Sequence, residues 1–161
     1  MDMAKPGKEH EWLNRLIGDW AYEVEAACNP GEPPAKFGGT ERVRPVGGLW
    51  IIAEGQGEMP GGGTAQMILT LGFDPDKRRF VGTWVGSMMT TLWVYQGSLD
   101  ESGKRLTLET TGPSHGEPGK TANYREMIEL TGDTSRTFTS TVQASDGTWS
   151  TMMTARYQRT S

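Results

Sequence analysis

Lys8-Glu9-His10-Glu11-Trp12-Leu13-Asn14-Arg15-Leu16-Ile17-Gly18-Asp19-Trp20 carries the change of rhythm on which the fold turns. Trp12, Leu13, Leu16 and Ile17 recur at helical spacing, and Glu9 and Glu11 stand near the start, where acidic side chains favour the helix dipole. The spacing predicts one short amphipathic helix over about 8–17, ending at Gly18. Beyond it the hydrophobic period drops from that of a helix to that of a strand. Clusters of Gly, Pro, Asn and Asp then cut the chain at intervals of roughly 8–14 residues.

Ten segments read as strands: 19–27, 39–44, 49–57, 65–73, 78–85, 91–99, 105–110, 121–130, 136–143 and 148–158. Asp74-Pro75-Asp76-Lys77, Asp100-Glu101-Ser102-Gly103, Gly132-Asp133-Thr134 and Ser145-Asp146-Gly147 favour tight reversals. Sequential neighbours are therefore expected to run antiparallel. Two longer connections, 29–36 and 112–119, are rich in Pro and Gly and read as surface loops, because the rhythm resumes unchanged after each. An antiparallel sheet of this size must dispose of its edges, and closure into a barrel removes them; a two-layer sandwich is the competitor. The expected fold is all-β, an antiparallel barrel of about ten strands with a short N-terminal helix. It forms a single domain over 1–161, with the barrel at about 19–158.

A chain of 161 residues suits one complete core. Its 22 glycines and 6 tryptophans, against a hydrophobic share of only 35%, fit short strands with tight turns and bulges. The net charge of −4 gives no electrostatic reason to expect nucleic acid or an anionic membrane as partner. Residues 1–8 lack the apolar core of a signal peptide, and no run approaches membrane-spanning length, so a cytoplasmic location is expected. Cys28, the only cysteine, cannot form an internal disulfide and reads as a small buried hydrophobe.

Gly18-Asp19-Trp20, directly after the helix, resembles the Gly-x-Trp that opens the first strand of lipocalin-like barrels. The resemblance implies structural roles for Gly18 and Trp20, with the helix and this Trp closing one end. It also implies a basic residue of the last strand stacked across the Trp, for which Arg156 is the candidate and Arg159 the substitute. A longer likeness runs through Gly47-Gly48-Leu49-Trp50, Leu71-Gly72-Phe73-Asp74-Pro75, Phe80-Val81-Gly82-Thr83-Trp84 and Tyr95-Gln96-Gly97-Ser98-Leu99-Asp100. From Leu16 to Arg159 the chain resembles the bacterial DUF1579 family, which implies the barrel and supplies no activity. The related nitrobindin barrels bind haem through a histidine near their C-terminus. Here no histidine follows His115, and Tyr22 stands where that opening motif continues with Gly, so no cofactor is expected.

Two histidines and one cysteine offer little for a metal site. No Gly-x-Ser-x-Gly elbow exists for a hydrolase, and the glycine runs lack the Gly-Lys-Ser/Thr ending of a phosphate loop. Attention falls instead on a pocket inside the barrel, for which Met67, Trp84, Trp93, Tyr95, Met127 and Met152 are candidate walls. In 124–130, one face carries Tyr124, Glu126, Ile128 and Leu130 and the other Arg125, Met127 and Glu129; alternation leaves open which is inner. Arg125 or Arg42 is a candidate anchor for an anionic head. The leading expectation is binding of a small, largely apolar or amphipathic ligand, with Arg125 as anchor. The alternatives are an enzyme using Glu129 or Glu54 for proton transfer, and a filled barrel that forms a homodimer.

Overall fold

The computed structural model describes residues 2–26 and 31–161. Helix α1 (Lys8–Asn14) precedes ten strands: β1 (Gly18–Ala26), β2 (Ala35–Val46), β3 (Trp50–Glu58), β4 (Thr64–Asp74), β5 (Arg79–Gly86), β6 (Trp93–Leu99), β7 (Arg105–Pro113), β8 (Thr121–Leu130), β9 (Ser135–Gln143) and β10 (Trp149–Arg159). Each strand pairs antiparallel with its sequence neighbours, and β1 pairs with β10, so the sheet closes into a barrel. All ten expected strands are present. Cys28 and the last residue of the expected first strand lie outside the described residues. Of the two expected loops, 35–36 belong to β2 and 112–113 to β7, because cross-strand pairing extends through them to Ala35 and Pro113.

The helix is shorter than its spacing predicts. From Arg15 onward the bonds run three residues back, Arg15 to Trp12, Leu16 to Leu13 and Ile17 to Asn14, so the last turn tightens before Gly18 starts β1. This turn sets the sealed end of the barrel. Trp12, Leu13 and Leu16 are buried there with Phe80, Leu106 and Leu130, and the Trp12 indole donates to the Gly103 carbonyl at 2.7 Å. Phe73 and Phe80 meet edge-on at 5.0 Å beneath the helix.

Trp20 lies at the centre of this closure, 2% exposed, its indole nitrogen donating to Leu16 O at 2.9 Å. The stacking partner is Arg159 rather than Arg156. Arg159 places its guanidinium 4.3 Å from the Trp20 ring centre and donates to Ile17 O at 2.5 Å and Arg15 O at 2.8 Å. Arg156 sits three residues earlier, opposite Glu23, with its side chain in solvent near Glu25. Inward and outward positions alternate along β10 so that Tyr157 and Arg159 share the inner face and Arg156 cannot. Gly18 adopts a φ of +138°, and a Cβ there would run into the Arg159 guanidinium.

Trp20→Ala is expected to cost about 3–5 kcal/mol, the range of large aromatic truncations in cores, whereas Arg156→Ala stays within about 0.5 kcal/mol. Urea unfolding of the two variants beside the parent measures both.

Candidate functional site

Above this plug the barrel is not filled. A cavity of about 370 Å³ occupies the other half. It opens between the β3–β4 turn (Met59, Pro60), the β5–β6 loop (Met88, Met89), His115 of the β7–β8 loop, and Met152 and Met153 of β10. The last two are successive residues on one wall because the β9–β10 register shifts between Thr151 and Met153, a bulge that turns both toward the interior. Deeper, the wall is aromatic and aliphatic. Trp84 and Trp93 face each other across the β5–β6 pair, and Trp93 packs edge-on to Tyr124 at 5.1 Å. A Cβ on Gly112 would strike the Trp93 ring, so that glycine makes its seat.

Two polar clusters interrupt this surface. In the first, Glu41 of β2 and Arg136 of β9 form a buried ion pair, with side chains 14% and 4% exposed. Arg136 also lies over the Tyr157 ring at 3.8 Å and against Trp20 at 4.6 Å. Tyr22 stacks beside Tyr157, and its hydroxyl lies over the paired glycines Gly39 and Gly57, where any Cβ would collide with it. Burial and the Glu41 charge push both phenols upward in pKa, so they remain neutral donors.

In the second cluster, Glu126 of β8 points inward, 8% exposed, opposite Ser140 of β9. Burial pushes its carboxyl up to about 7, partly offset by the Ser140 hydroxyl, and its Oε2 has no partner among the described residues. Tyr95 faces the same carboxyl, and burial followed by the Glu126 charge raises its pKa. Such a group is chemically unfinished. A buried carboxylate oxygen with no donor carries most of its desolvation penalty uncompensated.

The profile of a protein family of unknown function, DUF1579, matches residues 5–159. The chain belongs to the DUF1579 family. No curated protein matches its sequence. Among solved structures, Rv2717c from M. tuberculosis is similar with a TM-score of 0.62 and 14% identity, covering 98% of this chain and 100% of that one. A de novo designed fluorescence-activating β-barrel is similar with a TM-score of 0.50 and 11% identity, covering 91% of this chain and 95% of that one. At these identities the likeness is one of fold.

In this DUF1579 barrel, Met67, Trp84, Trp93, Tyr95 and Met152 line the cavity. Arg125, Met127 and Glu129 do not, because the inner face of β8 is the one with Tyr124, Glu126, Ile128 and Leu130. Arg125 lies outside against Glu109 at 3.2 Å and the Trp149 ring at 4.1 Å, and Glu129 faces Arg105 at 3.4 Å. Arg42 and Glu54 are likewise outer, paired with Asp19 and Arg44. The interior carboxylates are Glu41 and Glu126, with Arg136 as the interior guanidinium. A signal existed for Glu126, since its face of 124–130 carries three apolar residues and the opposite face only one. Arg136 and Glu41 had none, because a charged residue on a polar-looking strand normally faces water. Among the described residues no three His, Cys, Asp or Glu side chains converge as a metal site, and no helix is long and apolar enough to cross a membrane. On the outer wall Ile68 of β4, Val85 of β5 and Val94 of β6 are exposed, as is Leu92 just before β6.

The raised Glu126 pKa has a consequence for stability. Unfolded, the carboxyl ionises near its ordinary 4.5; folded, near about 7. Between these values the native state holds a proton that the unfolded chain has lost, so stability falls as pH rises through the window and levels off above it. Glu126→Gln is expected to remove up to roughly 3 kcal/mol of the fall between about pH 5 and pH 8, read as the difference between the two proteins' urea midpoints.

Proposed function

We propose that this barrel binds a small, largely apolar molecule inside its open half. The reading rests on one observation: an apolar-walled cavity of about 370 Å³ is sealed at the helix end and open at the other. Pockets for small molecules commonly have volumes of about 300–1,000 Å³, with a few convergent polar groups among apolar walls. Met67, Trp84, Trp93, Tyr95 and Met152 supply the contact surface, and the methionines at the mouth adapt in shape to what enters. The polar groups available to orient the molecule are Glu126, Arg136 and the tyrosine hydroxyls. Acid–base chemistry on the bound molecule is a second reading. It has the near-neutral pKa of Glu126, about 7, in its favour.

The neutral dye prodan tests the reading by its own fluorescence and by tryptophan emission. Saturable binding is expected, with Ala53→Phe, which projects a ring into the cavity, weakening it by about tenfold or more, near the cost of losing one buried apolar contact. Arg125→Ala is expected to leave the affinity within about twofold, as for surface changes remote from a site. Failure of prodan to saturate, or equal affinity in Ala53→Phe, contradicts an interior site.

A further inference from the structure

Resting on the interior-binding reading, the distribution of charge in the cavity carries a statement about ligand class. Among the described residues the charged groups on its wall are Glu41, Glu58, Glu126 and Arg136, three carboxylates against one guanidinium. Glu41 and Arg136 offset each other's charge, with the Arg136 Nε left without an acceptor among the described residues, and Glu58 stands exposed at the rim. That leaves Glu126, more than nine-tenths buried, as a carboxylate with one oxygen held toward Ser140 and the other free. The phenols of Tyr95 and Tyr124 are close enough to feel its charge, and neither supplies a donor to the free oxygen. The Tyr124 hydroxyl is committed to Pro113 O at 2.5 Å, and the Glu126 Oε2 has no partner.

We propose that the cavity selects apolar molecules carrying a protonated amine, whose ammonium group donates to the free oxygen of Glu126 while the hydrocarbon part lies against Trp84, Trp93 and Met67. Three physical arguments converge. An ammonium supplies the missing donor and the missing positive charge together, which a neutral alcohol does only in part. The aromatic rings that line the same cavity, Trp84, Trp93 and Tyr95 among them, offer a cation further attraction. A fatty acid would bring a second negative charge into the cavity with Glu126, and the charge of Arg136, the guanidinium lining it among the described residues, is already matched by Glu41, which leaves its Nε only a single donor to offer.

The pH dependence follows the same geometry. The groups facing Glu126 are Ser140 from β9, Tyr95 from β6 and Tyr124 from its own strand. Arg136 with Glu41, and Tyr22 and Tyr157 beside them, line the same cavity, and His115 meets Tyr124 at the mouth at 5.8 Å. Burial pushes the tyrosines upward, so they stay neutral. The protonation of Glu126 therefore sets the preference, and the amine binds better as pH rises.

Decylamine, decanol and decanoate, equal in chain length and differing in head, test this by calorimetry on the intact protein and on Glu126→Gln. At about pH 8 the amine is expected to bind about tenfold or more tighter than decanol, as for one charge-assisted hydrogen bond, with decanoate weakest. Glu126→Gln should bring the amine down to about the affinity of decanol, with a loss for the amine about tenfold greater than any change for decanol. In the parent protein the amine preference should shrink toward about pH 6, and His115→Gln should leave that response in place. Equal binding of the three heads, tightest binding of decanoate, or an amine preference that survives Glu126→Gln overturns the amine assignment and leaves the interior site standing. Binding of none of the three overturns both.

Discussion

Trp20 held between the end of helix α1 and the Arg159 guanidinium is the contact on which the rest of the barrel depends. It joins the first strand to the last, and barrel closure brings together segments more than a hundred residues apart. That pairing is entropically the most demanding in the molecule, since loop closure must precede any gain from the contacts it makes. Arg159 offsets this by satisfying the Ile17 and Arg15 carbonyls, which the tightened helix end leaves free, while its plane covers the indole. One residue thus caps the helix, seals the floor and fastens β10 to β1.

The same floor shapes the cavity above it. Arg136 touches Trp20 from the cavity side, is pinned by Glu41 and lies on Tyr157, so the deepest part of the interior is polar yet internally neutral. Buried pairs of this kind are expensive to break, because removing either partner strands a charge away from water. Tyr22 can lean over β2 and β3 only because Gly39 and Gly57 are paired across them with no side chains beneath the ring. Higher up the balance differs. Glu126 is carried inward by β8 with Ser140 as its donor, and half of its hydrogen-bonding capacity is left to whatever enters.

Much of the fold was legible in the chain. The switch of period at Gly18, the turn residues and the spacing of the Gly-rich breaks located all ten strands and their antiparallel order, because these are local properties of the backbone and of a half-buried surface. Five wall residues, Met67, Trp84, Trp93, Tyr95 and Met152, were legible for a related reason: large apolar side chains on strands seek the inside. Strand ends were less so. The helix stopped earlier than its apolar spacing suggested because hydrogen bonding changed to the tighter pattern after Asn14.

What the sequence by itself determined, then, was the architecture and the family; what only the tertiary structure decided was which polar groups are inside. Alternation assigns residues to two faces without naming the inner one, and a one-residue shift in register exchanges the two sets. In β8 that choice separates Glu126 from Arg125, and in β10 it separates Arg159 from Arg156. Closure also paired Glu41 with Arg136, 95 residues apart, which gave each charge a partner that neither strand alone could reveal. The electrostatics of the cavity are set by curvature and register acting over the whole barrel, and no window of sequence contains them.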